Sequence, residues 1–151
     1  MLKIFKKLFG TKSERDLKEL LPFVDKINAE FARLSSLSND ELRAKTAELK
    51  QIIKEGLQSI DDKINELQQK IEEESNVDRK EIIFKEIDEL ELERNKELEK
   101  ILIDILPIGF AIVKETARRF KDNEVIEVTA NDFDRQVATR KPNVTIQGEK
   151  A

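Results

Sequence analysis

Residues 57–90, LQSIDDKINELQQKIEEESNVDRKEIIFKEIDEL, hold two apolar repeats on either side of a polar break. Ile60, Ile64, Leu67 and Ile71 follow at intervals of four, three and four residues, the spacing that turns one narrow stripe of a helix toward a partner. Ser75, Asn76, Val77 and Asp78 interrupt the stripe, and Asp78 with Glu81 offers a fresh helix start. It resumes at Ile83, Ile87 and Leu90 and, after a polar shift around Arg94, at Leu98, Ile101 and Ile105. Two seamed helices joined by a short polar loop pair antiparallel, so a helical hairpin is expected over 57–106. Residues 57–103 carry 8 basic and 15 acidic side chains, a local net charge of −7. Carboxylates as close in sequence as Glu72, Glu73 and Glu74 point in different directions on a helix, so they read as a solvated face rather than a cation site.

The rest of the composition agrees with a mainly α protein of long helices. Of 151 residues, 40 % are charged and 5 % aromatic, with no Trp or Tyr, a balance that favours solvated helices over a compact globule. The 38 % that are apolar recur periodically, which argues against disorder throughout. There is no His and no Cys, which removes imidazole bases, thiol nucleophiles, disulfides and the usual zinc sites. Gly10, Thr11, Lys12 and Ser13 lack the order and the upstream Gly of a phosphate-cradling loop, so no cofactor or metal site is expected in this chain.

The first nine residues, MLKIFKKLF, divide on a helical wheel into Met1, Leu2, Ile4, Phe5, Leu8 and Phe9 on one side and Lys3, Lys6 and Lys7 on the other. Residues 1–12 carry four Lys and no acid. The stretch is too short to span a bilayer and too interrupted by Lys to be a signal peptide. It either lies in a membrane interface, Lys against anionic headgroups, or packs on a protein surface, because both bury the same stripe.

Ser13, Glu14 and Asp16 open a helix running to about Leu34, which Pro22 should bend or divide. Leu17, Leu20, Leu21, Val24, Ile27, Phe31 and Leu34 form its packing face. Ser38 and Glu41 make a capping box for a helix ending near Gly56, on which Arg43, Lys45 and Lys50 read as solvated. From Leu106 a more apolar helix restarts with Pro107 in its first turn. Its Phe110, Ile112, Val113, Ala117 and Phe120 suit burial against something larger than this chain supplies. Beyond it, EVIEVTA and NVTIQ have a β-like texture around a short helix-like NDFDRQVA, where Asp132 and Asp134 read as caps rather than metal ligands. Asn143, Val144 and Thr145 match a glycosylation sequon, a pattern that arises easily by chance. NVTIQ runs into Gly148, a turn signal whose return strand is expected to follow, so the β-like tail reads as the cut-short start of an α/β domain.

The phrase SNDELRAKTAELK, residues 38–50, closely resembles the early helix of the SecA family of preprotein translocation ATPases. MLKIFKKLFG, SERDLKELLPFVDKINA and LPIGFAIVKETARR resemble that family too, in the same order. The likeness covers residues 1–56 and 104–120, with 57–103 and 121–151 standing apart as insertions. It implies a domain division into an amphipathic N-terminal helix (1–12), N-terminal helices (13–56), a hairpin insertion (57–106) and the start of a nucleotide-binding domain (107–151). It implies a parent that binds ATP and Mg and drives preproteins through the SecYEG channel, in a bacterial cytoplasm and peripherally on the inner face of the membrane, with a homodimer possible. None of the family's ATP-site motifs falls within these residues, so the chain by itself is expected to be inactive as an ATPase. The resemblance also favours the interfacial reading of the first helix and assigns Leu2, Lys3, Ile4, Phe5, Lys6, Lys7, Leu8 and Phe9 to acidic phospholipid or the channel. A competing reading is a free-standing helical adaptor that binds a partner through the acidic hairpin. The acidic balance argues against nucleic acid as a partner.

Overall fold

The computed structural model describes residues 12–151, so the expected amphipathic helix of Leu2 to Phe9 lies outside the described residues. Four helices are present among them: α1 (Lys12–Leu34), α2 (Asn39–Glu73), α3 (Val77–Asp122) and α4 (Asp132–Ala138). The chain divides into two compact units. One is Thr46–Leu106, and the other joins Pro107–Ala151 to the described part of the residues up to Lys45.

The unit Thr46–Leu106 is the helical hairpin, made by the later part of α2 and the earlier part of α3. Leu57 of α2 is buried, and Ile60, Ile64 and Leu67 of α2 form a buried cluster with Ile87 of α3, against which Ile71, Ile83 and Leu90 pack. Each such Leu or Ile, fully buried, contributes roughly 1.5–3 kcal/mol, so the seam by itself accounts for the pairing. The order is antiparallel: Gly56 lies beside Ile101, Asp61 beside Arg94, and Leu67 in the cluster that holds Ile87. Arg94 bridges to Asp61 with Nε–Oδ1 2.5 Å, at the position where the apolar pattern of α3 shifts. At the tip, the Asn76 side chain accepts from the Arg79 amide at 3.1 Å, while the Asn76 amide donates to Glu74. Asn76, not Asp78, is therefore the cap of α3.

Two expected breaks are absent. Gly56 does not end a helix, since α2 runs on to Glu73, and α3 passes through Pro107 without restarting. An internal Gly costs a helix about 1 kcal/mol and an internal Pro about 3 kcal/mol, which burial on both sides of each offsets. Gly56 has a packing reason for its place: a Cβ there would lie 2.5 Å from Ile101 Cδ1. Pro22 likewise sits inside α1.

The other unit has a small core of Leu34, Leu42 and Ala111, with Ile27, Phe31, Leu37 and Ile112 packed against it. Only the second half of the expected α1 stripe is used, because Leu17, Leu20, Leu21 and Val24 remain exposed. The Ser38 capping box forms as expected: Ser38 Oγ accepts from the Glu41 amide at 3.2 Å, and Glu41 Oε2 accepts from the Ser38 amide at 2.7 Å. The β-like segments run without forming a strand and pair only through isolated bridges, Thr129 with Lys150 and Gln147 with Lys150. Their burial nevertheless alternates, with Ile126, Val128, Ala130, Val144 and Ile146 partly covered between exposed neighbours.

Candidate functional site

Along the last turns of α3 the covered residues are Pro107, Ala111, Glu115 and Arg119, one every fourth position. Two of the four are charged, and Glu115 is 0 % exposed. A carboxylate in that position is tolerable only if it is ion-paired and hydrogen-bonded. Arg118 grips it through Nε at 2.8 Å and Nη2 at 2.7 Å, and Arg119 Nε donates to Oε1 at 2.7 Å. The Arg118 bonds, seconded by Arg119, outweigh the opposing effect of burial and hold the Glu115 carboxyl down at about 2.

Arg119 has a second task. Its Nη2 donates to the carbonyls of Leu37, 2.6 Å, and Leu34, 3.3 Å, at the end of α1 and the turn after it. Those are groups that a helix C-terminus leaves without partners and that favour a positive charge. Its Nη1 donates to Asn39 Oδ1 at 2.7 Å, in the first turn of α2. One guanidinium thus ties the end of α1 and the start of α2 to α3. Lys114 adds a further link from α3 to α1, donating to Asn28 at 2.8 Å and lying 4.3 Å from the centre of the Phe31 ring.

The start of α2 holds the tail in turn. Asn39 Nδ2 donates to the Glu127 carbonyl at 3.0 Å; Asp40 accepts from the Thr129 amide at 2.9 Å and its hydroxyl at 2.7 Å. Arg43 donates to the Thr129 carbonyl at 3.2 Å and to Asp134 Oδ1 at 2.6 Å. The Thr129 bonds hold the Asp40 carboxyl below its usual value, and the Arg43 bond does the same for Asp134. Asp134 also completes a capping box with Asn131 at the start of α4, so it caps as its sequence context suggests. Arg43 is a correction: it faces the tail rather than solvent. No sequence pattern separates it from a surface arginine, because its partner lies 91 residues away.

Among the described residues no group of His, Cys, Asp and Glu is placed to hold a metal ion, and no buried side-chain polar atom lacks a partner. The arrangement is a clasp of satisfied ionic contacts that positions four chain segments. No helix among the described residues is long and apolar enough to cross a membrane. Phe110, Val113, Ala117 and Phe120, expected to bury against something larger, are exposed in this chain, and Ile112 joins the core.

Comparison with known proteins gives the setting. Residues 5–140 match the family model of the SecA DEAD-like domain. The chain is 51 % identical over 153 residues to a protein translocase subunit SecA of Cytophaga hutchinsonii and 48 % identical over the same length to that of Amoebophilus asiaticus, each alignment covering 100 % of this chain and 14 % of the relative. It is 51 % identical to the subunit of Phocaeicola vulgatus over 96 % of this chain and 13 % of that protein. The chain thus spans about one seventh of the length of these curated relatives. No solved structure matches it. The family match runs through the hairpin and into the tail, segments that stood apart in the sequence comparison, so these relatives share both.

Proposed function

Since this chain belongs to the SecA family, we propose that it serves as the docking and bracing region of a protein translocase subunit. In that reading the whole protein couples hydrolysis of ATP, bound with Mg, to export of preproteins through the SecYEG channel. This region contributes no catalytic group. The observation that carries the bracing role is the clasp, in which Asn39, Asp40, Arg43, Glu115 and Arg119 bond one another, the side chains of Arg118, Thr129 and Asp134, and backbone. The phrase shared with the family, SNDELRAKTAELK, contains three of the five.

Docking is assigned to Leu2, Lys3, Ile4, Phe5, Lys6, Lys7, Leu8 and Phe9 on the amphipathic pattern of the sequence. Lys would face acidic headgroups, and Leu, Ile and Phe would enter the acyl boundary. In this reading the protein works in the cytoplasm, peripherally on the inner face of the membrane. Co-sedimentation with anionic liposomes tests it. Phe5→Ala with Phe9→Ala, and Lys6→Glu with Lys7→Glu, are each expected to lower the bound fraction several-fold. Unchanged binding in both variants would sink the membrane assignment.

A further inference from the structure

The tail contains the beginning of a sheet with a vacant place in its middle. Val128 and Ala151 exchange both backbone hydrogen bonds, at 3.0 and 2.9 Å, and the Ala130 amide donates to Glu149 at 2.8 Å. On the other side Gln147 and Lys150 exchange both of theirs, at 2.8 and 3.1 Å, around a two-residue turn. Gly148 takes φ +62° there while Glu149 keeps a negative φ, the pattern of a type II′ hairpin. Lys150 and Ala151 therefore lie between two extended flanks, paired to each through backbone hydrogen bonds.

In an antiparallel ladder the backbone groups of alternate residues point to the same side. Val128 points at Ala151, so Ile126 points into the space beyond Ala151. Gln147 points at Lys150, so Thr145 points into that space from the opposite flank. Among the described residues, neither the Ile126 nor the Thr145 amide has a hydrogen-bond partner. Between them lies a groove of about 600 Å³, lined by Phe120, Ile126, Val128, Val144, Thr145 and Ala151 among others. The half-buried side chains Ile126, Val128, Val144, Ile146 and Ala151 share one parity in this register, while Thr129, Thr145, Gln147 and Lys150 are exposed.

We propose that this groove accepts a β-strand and that its occupant is the polypeptide continuing directly from Ala151 in the longer chain. The two registers agree with each other and fix the pairing. The first residue beyond Ala151 exchanges hydrogen bonds with Thr145 and the second with Ile126. The second also shares its face with Ile126 and is apolar. Two observations favour this occupant over a strand from another molecule: Lys150 and Ala151 already lie in the central place with both flanks paired, and the relatives are about seven times as long as this chain.

The test is amide hydrogen exchange, read in the full-length protein and in the 151-residue chain. In the full-length protein the Ile126 and Thr145 amides are expected to exchange at least about 100-fold more slowly than in the 151-residue chain, while the Val125 and Ile146 amides, which point away, stay fast in both. Thr145→Pro, which removes one groove-facing donor, is expected to restore fast exchange at Ile126 in the full-length protein. Fast exchange at Ile126 and Thr145 in the full-length protein would overturn the proposal. So would equal protection in both chains, protection that appears only when an extended peptide is added in trans, or a gene that stops at codon 151.

Discussion

The two units bury α3 by opposite means. In the hairpin, α3 presents Ile83, Ile87 and Leu90 to an all-apolar seam, and a cross-helix ion pair, Arg94 with Asp61, sits at the surface with about a third of each side chain exposed. Thirty residues on, the same helix covers Glu115 and Arg119. Apolar burial tolerates approximate partners, because dispersion and the hydrophobic effect are not directional. A buried carboxylate has no such tolerance: remove one partner and the other remains as an uncompensated charge. The hairpin should therefore respond to mutation in proportion to lost volume, and the clasp in all-or-none fashion.

The sharpest way to break that contrast is Glu115→Ala. It strands Arg119 among buried neighbours and should cost about 3–5 kcal/mol, against about 2–4 kcal/mol for Leu67→Ala in the hairpin seam, both measured by urea unfolding. A smaller loss at Glu115 than at Leu67 would mean that the clasp is dispensable.

Acid should separate the units next. Glu115 has a folded value of about 2, below its ordinary 4.5, so the unfolded chain binds the extra proton first. Its contribution is complete above about pH 5 and is lost as pH falls toward 2, up to about 3 kcal/mol. Amide exchange at Ala111 should accelerate in that window before exchange at Ile64 does. The reverse order would refute the assignment of acid sensitivity to the clasp.

Two smaller effects sharpen the picture from the hairpin side. In wild type, Gly56→Ala should be near neutral, about 1 kcal/mol of helix preference being offset by the contact with Ile101. Alongside Ile101→Val, which removes that Cδ1, the same change should stabilise by about 0.5–1 kcal/mol; no coupling in the double-mutant cycle would show that the helices do not meet there. Arg94→Ala should cost under about 1 kcal/mol, as expected of a pair so open to solvent.

The same contrast explains what the sequence discloses. Ile60, Ile64, Leu67, Ile83 and Ile87 announce the hairpin because spacing alone carries the information. Glu115 and Arg119 do not, since charged residues four apart on a helix look the same whether they face water or a core. Ser38 and Glu41 mark the helix start, but Asn39, Asp40 and Arg43 are not legible as the clasp of the tail, because their partners there come from residues 127–134. Gly56 and Pro107 looked like ends because each is costly alone; the packing around them, invisible locally, decides otherwise. The alternation in the tail is legible as extended backbone, but a strand also needs a neighbour, and of the two β-like segments only 128–130 and Gln147 have one. The proposed docking residues, Leu2 to Phe9, rest on the amphipathic pattern together with the family resemblance.

The four-residue spacing of Pro107, Ala111, Glu115 and Arg119 has a geometric consequence of its own. At 100° per residue, each step of four overshoots a full turn by about 40°, so the covered line precesses by about 120° between Pro107 and Arg119. A seam stepping by threes and fours stays in phase with one straight partner, whereas a precessing line must be handed from one partner to the next. Here Ala111 is met by Leu34 and Leu42, and Arg119 by the carbonyls of Leu34 and Leu37 and by Asn39. Inserting or deleting a single residue between these points would dephase the line by a further 100°, leaving Ala111 seated and the arginine facing water.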